Sequence, residues 1–243
     1  MAQPWSIRIA LGLDSFMACF VNFFDELCID RAGRHFKIRK KMNNIEVSLD
    51  REYILAGDIS ASMETVDIKC MNLTRYNYML EKFKSFIQRT SDFDAHGGCT
   101  IMLFGQNVHK YEHANLSLVE DRLNKVNFEG LTMTDKLLAE AFEEHNEERV
   151  KMLKEKKIHP GTTLMIFTDG QPSDRSSVQR EIINIENNID LDTDFKIIFL
   201  TVGTITEDLK QYLDSLVFNS KKKIVSVFQL EDINFISAAS GVV

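Results

Sequence analysis

The chain has 243 residues, 44% of them hydrophobic and 27% charged, with a formal net charge of -7. That length suits one large domain, or one domain with an appendage, and the composition is that of an ordinary globular protein. The negative balance argues against nucleic acid and against an anionic membrane surface as the main partner, because both require a basic patch.

Four cysteines, Cys19, Cys28, Cys70 and Cys99, show neither CxxC spacing nor the density of a disulfide framework. This pattern points to a reducing, cytoplasmic setting. The most apolar stretch, Ile9 to Leu27, is interrupted by Asp14, Asn22, Asp25 and Glu26, too polar a run to span a bilayer. It also lacks the basic start and small-residue cleavage site of a signal peptide.

Residues 1–50 read as a separate N-terminal extension. Leu13, Phe16, Met17, Phe20, Phe24 and Leu27 recur at helical spacing and form one Phe-rich face. Such a face has to be covered, by the main domain or by a partner or second copy of the chain. Phe16, Phe20 and Phe24 are therefore the candidate partner contacts, for self-association or for a larger assembly. Arg31 to Lys41 is markedly basic, and Ile45 to Leu49 alternates like a half-exposed strand.

From residue 51 to 243 the pattern changes to buried strands alternating with amphipathic helices. Tyr53 to Gly57 is a short apolar run of the type that is buried on both faces of a sheet. It stops at Asp58-Ile59-Ser60-Ala61-Ser62, where an acid and two hydroxyls alternate with small or apolar residues. Asp and Ser also cap helices and close turns, so the meaning of this segment depends on what the rest of the chain brings to it. Thr65 to Leu73 reads as a loop. Arg75 to Thr90 is a helix with Tyr76, Met79, Leu80, Phe83, Phe86 and Ile87 on one side, and Cys99 to Phe104 is a second buried strand. His109 and His113 follow in a short strand, where their spacing does not suit zinc.

Gly130-Leu131-Thr132-Met133-Thr134-Asp135 opens a long helix bearing Leu137, Leu138, Ala141 and Phe142, with a solvated charge run over 143–157. Thr162 to Phe167 is a third buried strand, ending at Thr168-Asp169-Gly170. Helices are expected over 176–185, 205–217 and 230–239, and strands over 195–202 and 224–228. Strands that alternate with helices need crossover connections. The fold class is therefore α/β, a Rossmann-like, doubly wound, mostly parallel sheet flanked by helices.

Asp58, Ser60 and Ser62, then Thr132, then Asp169 deliver hard oxygen donors to what should be one sheet edge. Two carboxylates, three hydroxyls and water suit Mg2+, or Mn2+ or Ca2+, rather than a soft metal. Hydroxyls carry no charge, so the ion is left short of negative charge and should seek an external carboxylate. That chemistry is binding and needs no nucleophile.

Asp58-Ile59-Ser60-Ala61-Ser62 resembles the D-x-S-x-S signature of von Willebrand factor A domains with a metal-ion-dependent adhesion site. Gly130-Leu131-Thr132 falls where that family has its threonine motif, and Thr168-Asp169-Gly170 looks like its second acidic motif. The likeness covers roughly residues 53–228. It implies that Ser60, Ser62 and Thr132 contact the metal, and that Asp58 and Asp169 do so directly or through water. It also implies a protein ligand whose Asp or Glu caps the ion. Leu131 stands where a second glycine is common, and residues 1–50 have no counterpart in the bare domain.

Two rival readings use the same residues differently. A Mg2+-dependent phosphohydrolase would make Asp58 a nucleophile with Asp169 and Asp174 holding the ion, but Ser60 stands where such enzymes need a second acid. A structural assembly component would use its helical faces and keep the metal site as an accessory. The sequence is best read as a metal-dependent protein-binding module, not an enzyme.

Overall fold

The computed structural model describes residues 51–68, 72–90 and 99–230, together with the backbone of two short strands, β1 (Lys41–Met42) and β2 (Ile45–Glu46). β1 and β2 form an antiparallel ladder of their own; residues 47–49 of the strand expected over 45–49 lie outside the described residues. The Phe16, Phe20 and Phe24 stripe, the basic residues 31–40 and residues 231–239 of the helix expected over 230–239 lie outside the described residues. All other described elements belong to one unit, Asp50–Asp232.

Its strands are β3 (Glu52–Asp58), β4 (Cys99–Phe104), β5 (Val108–Ala114), β6 (Thr162–Thr168), β7 (Phe195–Thr201) and β8 (Val225–Gln229). Its α-helices are α1 (Arg75–Thr90), α2 (Leu116–Asp121), α3 (Thr134–Lys154), α4 (Arg175–Asn188) and α5 (Glu207–Asn219). The strands form one sheet in the order β5-β4-β3-β6-β7-β8. β3, β4, β6, β7 and β8 run parallel, and β5 pairs antiparallel with β4 at the edge. The sheet is thus a mostly parallel α/β sheet with one antiparallel edge strand. β5 was legible as a short strand, but α2 was not anticipated. It is a helix of under two turns, started by the Asn115 side chain, which accepts from the Leu118 N–H at 3.0 Å.

From β3 the chain moves one way through α1 to β4. It then returns across β3 to β6 and continues outward through α4 and α5. Right-handed crossovers in opposite directions put α1 on one face and α3, α4 and α5 on the other. The side chains follow this division. Ile54, Ala56, Leu164, Ile166, Ile197 and Phe199 are buried in one cluster with Leu137 and Leu138 of α3, Ile182 of α4 and Leu213 of α5. The alternate residues face α1, where Phe83 meets Phe167 edge-on with ring centroids 4.9 Å apart. A side chain on Gly57 would meet Met79 at 2.8 Å, so glycine lets α1 lie close on β3. Burying each large apolar side chain contributes about 1.5–3 kcal/mol.

β3 and β6 are neighbours whose following loops leave toward opposite faces. Their carboxyl ends therefore flank the switch-point crevice in which open α/β sheets bind ligands. Among the described residues no helix is long and apolar enough to cross a membrane.

Candidate metal centre at the carboxyl edge of the sheet

Asp58 is the last residue of β3 and is fully buried. Its carboxylate is held from two directions. The Ser60 backbone N–H donates to Oδ1 at 2.8 Å, closing a tight turn, and the Thr168 hydroxyl at the end of β6 donates to Oδ2 at 2.6 Å. Burial pushes the Asp58 carboxyl up to about 6, against the opposing pull of the hydrogen bonds from Thr168 and Ser60. A buried carboxylate raised in this way gains from a nearby cation.

Immediately after Asp58 the chain enters a 3-10 turn, Ala61–Glu64. The turn is anchored against the segment before Thr132, since the Ala61 N–H donates to the Glu129 carbonyl at 3.0 Å and the Glu129 N–H to the Ile59 carbonyl at 2.8 Å. It brings the Ser60 and Ser62 hydroxyls within 3.0 Å of each other, and the Ser62 hydroxyl donates to Asp169 Oδ1 at 2.8 Å. Ser62 has one proton and spends it on Asp169, so Ser60 is the donor to Ser62.

Thr132 arrives from a loop, two residues before α3 begins at Thr134, not inside the helix opening at Gly130. Ser173 clamps it from both sides. The Thr132 N–H donates to the Ser173 hydroxyl at 3.0 Å, and the Ser173 N–H donates to the Thr132 carbonyl at 2.9 Å. Leu131, where the family pattern often has glycine, points outward and is exposed.

These groups converge. A Cβ placed on Gly170 would stand 3.8 Å from both Asp58 Oδ2 and Thr132 Oγ1, and 3.9 Å from Ser62 Oγ. Three oxygens from two separate segments, 58–62 and the loop at Thr132, thus border the space beside Gly170, with Ser60 next to Ser62. The five residues singled out in the sequence lie together at the edge between β3 and β6. Among the described residues no group of three or more His, Cys, Asp or Glu is placed to hold a metal. The donors here are mainly uncharged hydroxyls, and they fit a hard divalent cation.

The remaining candidates lie elsewhere. His109 faces Glu129 at 3.2 Å, and His113 occupies the left-handed backbone region at φ 51° on the same edge strand. Asp174, which the phosphohydrolase reading needs at the ion, instead caps α4, accepting from the Ser176 and Ser177 N–H groups at 2.9 and 3.1 Å.

One residue at the site was not legible beforehand. Arg75, at the start of α1, donates to Asp169 Oδ2 at 2.5 Å and forks onto both oxygens of Asp67 at 2.8 and 2.5 Å. A sequence offers no period or spacing that ties an arginine at a helix start to an acid 94 positions later. Gly203, at φ +75°, leaves room for this pair, since its Cβ would fall 2.5 Å from Arg75 Nε.

No family model and no curated protein sequence matches the chain. Solved structures do. The manganese-loaded TRAP protein of Plasmodium vivax superposes with a TM-score of 0.51 at 15% identity, over 76% of this chain and 71% of that one. BatB from Bacteroides thetaiotaomicron has a TM-score of 0.42 at 14% identity, over 79% of this chain and 97% of that one. Proximal thread matrix protein 1 of the mussel byssus has a TM-score of 0.48 at 14% identity, over 78% and 45%. The likeness to the first establishes the fold, a Rossmann-like α/β sheet of the kind found in von Willebrand factor A domains.

Proposed function

We propose that this chain is a divalent-cation-dependent protein-binding module and not an enzyme. Asp58, Ser60, Ser62, Thr132 and Asp169 would hold Mg2+, or Mn2+ or Ca2+, and the Asp or Glu of a protein ligand would complete the coordination. The observation that carries the proposal is the convergence of Asp58 Oδ2, Ser62 Oγ and Thr132 Oγ1 on the space beside Gly170. A manganese-loaded neighbour of the same fold supports the choice of a hard divalent ion.

The protein's own residues prepare the site. Thr168 and the Ser60 N–H orient the Asp58 carboxylate, and Ser173 positions Thr132. Asp169 accepts the hydrogen bond of the Ser62 hydroxyl, which leaves a lone pair of that oxygen for the ion. The cation would supply a Lewis-acidic point to which a carboxylate adds.

Calorimetric titration of Mn2+ and Mg2+ into wild type and Asp58→Ala tests the metal. A pull-down with each ion and with chelator tests the partner. Saturable binding lost in Asp58→Ala, together with metal-dependent capture, is expected. Capture that persists in chelator and in Asp58→Ala would overturn the proposal and move partner binding to the helical faces.

A further inference from the structure

Both oxygens of Asp169 are already engaged. Ser62 donates to one, and the Arg75 guanidinium lies 2.5 Å from the other. The Asp169 side chain is fully buried and that of Arg75 is 11% exposed, so water screens this pair little. Arg75 is shared with Asp67, whose side chain is more open at 24%. The pairing holds the Asp67 carboxyl below its ordinary range, chiefly through the hydrogen bond from Arg75. Asp67 is itself tied to the loop after β7 by the Thr204 N–H at 3.1 Å. The guanidinium also donates to the Thr204 carbonyl at 3.4 Å, so groups from three loops hold it and it has little freedom to leave.

The consequence is a count of charge. Arg75, shared with Asp67, offsets part of the Asp169 charge, so Asp58 is the carboxylate at the site with no cationic side chain paired to it, beside the neutral Ser60, Ser62 and Thr132. We propose that Arg75 is a positioning residue that sets the charge of the cation site, keeping the metal weakly bound until an external carboxylate arrives. Metal and acidic ligand then bind as a coupled pair. This rests on the metal-dependent reading above and adds the residue that makes the ion need its partner.

The proposal makes opposite demands on two neighbouring residues. Arg75→Gln removes a positive charge beside Asp169, so Mn2+ binds more tightly, on the order of tenfold. Asp67→Asn leaves Arg75 wholly to Asp169, so Mn2+ binds more weakly by a similar factor. Acetate serves as the carboxylate probe. In wild type it strengthens Mn2+ binding, and in Arg75→Gln that enhancement shrinks.

The experiment is a Mn2+ titration followed by the paramagnetic resonance of the free ion, with and without acetate. It is run on wild type, Arg75→Gln and Asp67→Asn, each checked for its thermal unfolding midpoint. A purely structural role for Arg75 would lower both midpoints and shift Mn2+ affinity downward or not at all in both variants, and that result overturns the proposal. Should Arg75→Gln fail to fold, Asp67→Asn decides alone, since unchanged or tighter Mn2+ binding there also overturns it. Wild type that binds no Mn2+ even with acetate present would defeat the metal reading itself. Binding in wild type with no opposed shift would defeat this inference alone.

Discussion

The Thr168 hydroxyl donates to Asp58 Oδ2 at 2.6 Å, joining the last residue of β6 to the last residue of β3. The parallel register, in which Gly57 stands beside Phe167, makes this contact, since each next residue along the two strands then also stands side by side. The bond stabilises the ionised form of a buried carboxylate. Thr168→Val keeps the shape and removes the donor. We expect a loss of about 1–3 kcal/mol in the metal-free protein at pH 8, and a smaller loss at pH 5, below the value of about 6 to which burial raises Asp58. Urea unfolding at the two pH values checks this. Equal losses would mean that Asp58 does not change charge between them.

Gly170 backs the space between the oxygens, and a methyl group there meets them at ordinary contact distance, 3.8 to 3.9 Å. The fold should therefore tolerate Gly170→Ala, with a stability change within about 1 kcal/mol. The space open to an ion shrinks, and Mn2+ affinity should fall by roughly tenfold, because a small cation demands close and regular oxygens. Calorimetry combined with thermal unfolding separates the two effects. Unchanged affinity would place the ion away from Gly170.

A second polar cluster lies at the opposite end of the sheet, beside the start of β6. His145, 1% exposed, shares a hydrogen bond with Thr162 through Nδ1 at 2.9 Å, and its Nε2 has no partner. Burial lowers its pKa from 6.5 to about 4, and the neighbouring His159 and Arg149 add to the shift. The unfolded chain therefore takes up a proton between pH 6.5 and 4 while the folded chain does not, so stability falls as pH falls through that window. Asp58, raised to about 6, acts in the opposite sense, favouring the folded state as pH drops toward 4. The clean readout is the difference between wild type and His145→Gln. Wild type should lose on the order of 3 kcal/mol more than the variant between pH 7 and pH 4. Parallel pH profiles would show that His145 accepts its proton inside the fold.

Much of the fold was written in local pattern. Ile101 to Phe104 and Leu164 to Phe167 are uninterrupted apolar runs, and such runs suit strands buried on both faces of a sheet. The helix Arg75–Thr90 was bounded correctly because its apolar residues repeat at 3.6. Leu116–Asp121 escaped because a helix this short shows too little of its period to register. Asp58, Ser60 and Ser62 were legible as a unit, since they fall within five residues at the end of one strand.

Local sequence fixes which residues carry oxygen donors, and that two of the three donor segments stand at the end of a buried strand. Only the tertiary structure decided that Thr132 reaches the same space, held by Ser173 and a turn laced to Glu129. It also decided the net charge there, because Arg75 meets Asp169 across the edge between β3 and β6. Local pattern records the burial and period of a single segment. The electrostatics of a site are summed over segments that only folding brings within a few ångströms of one another.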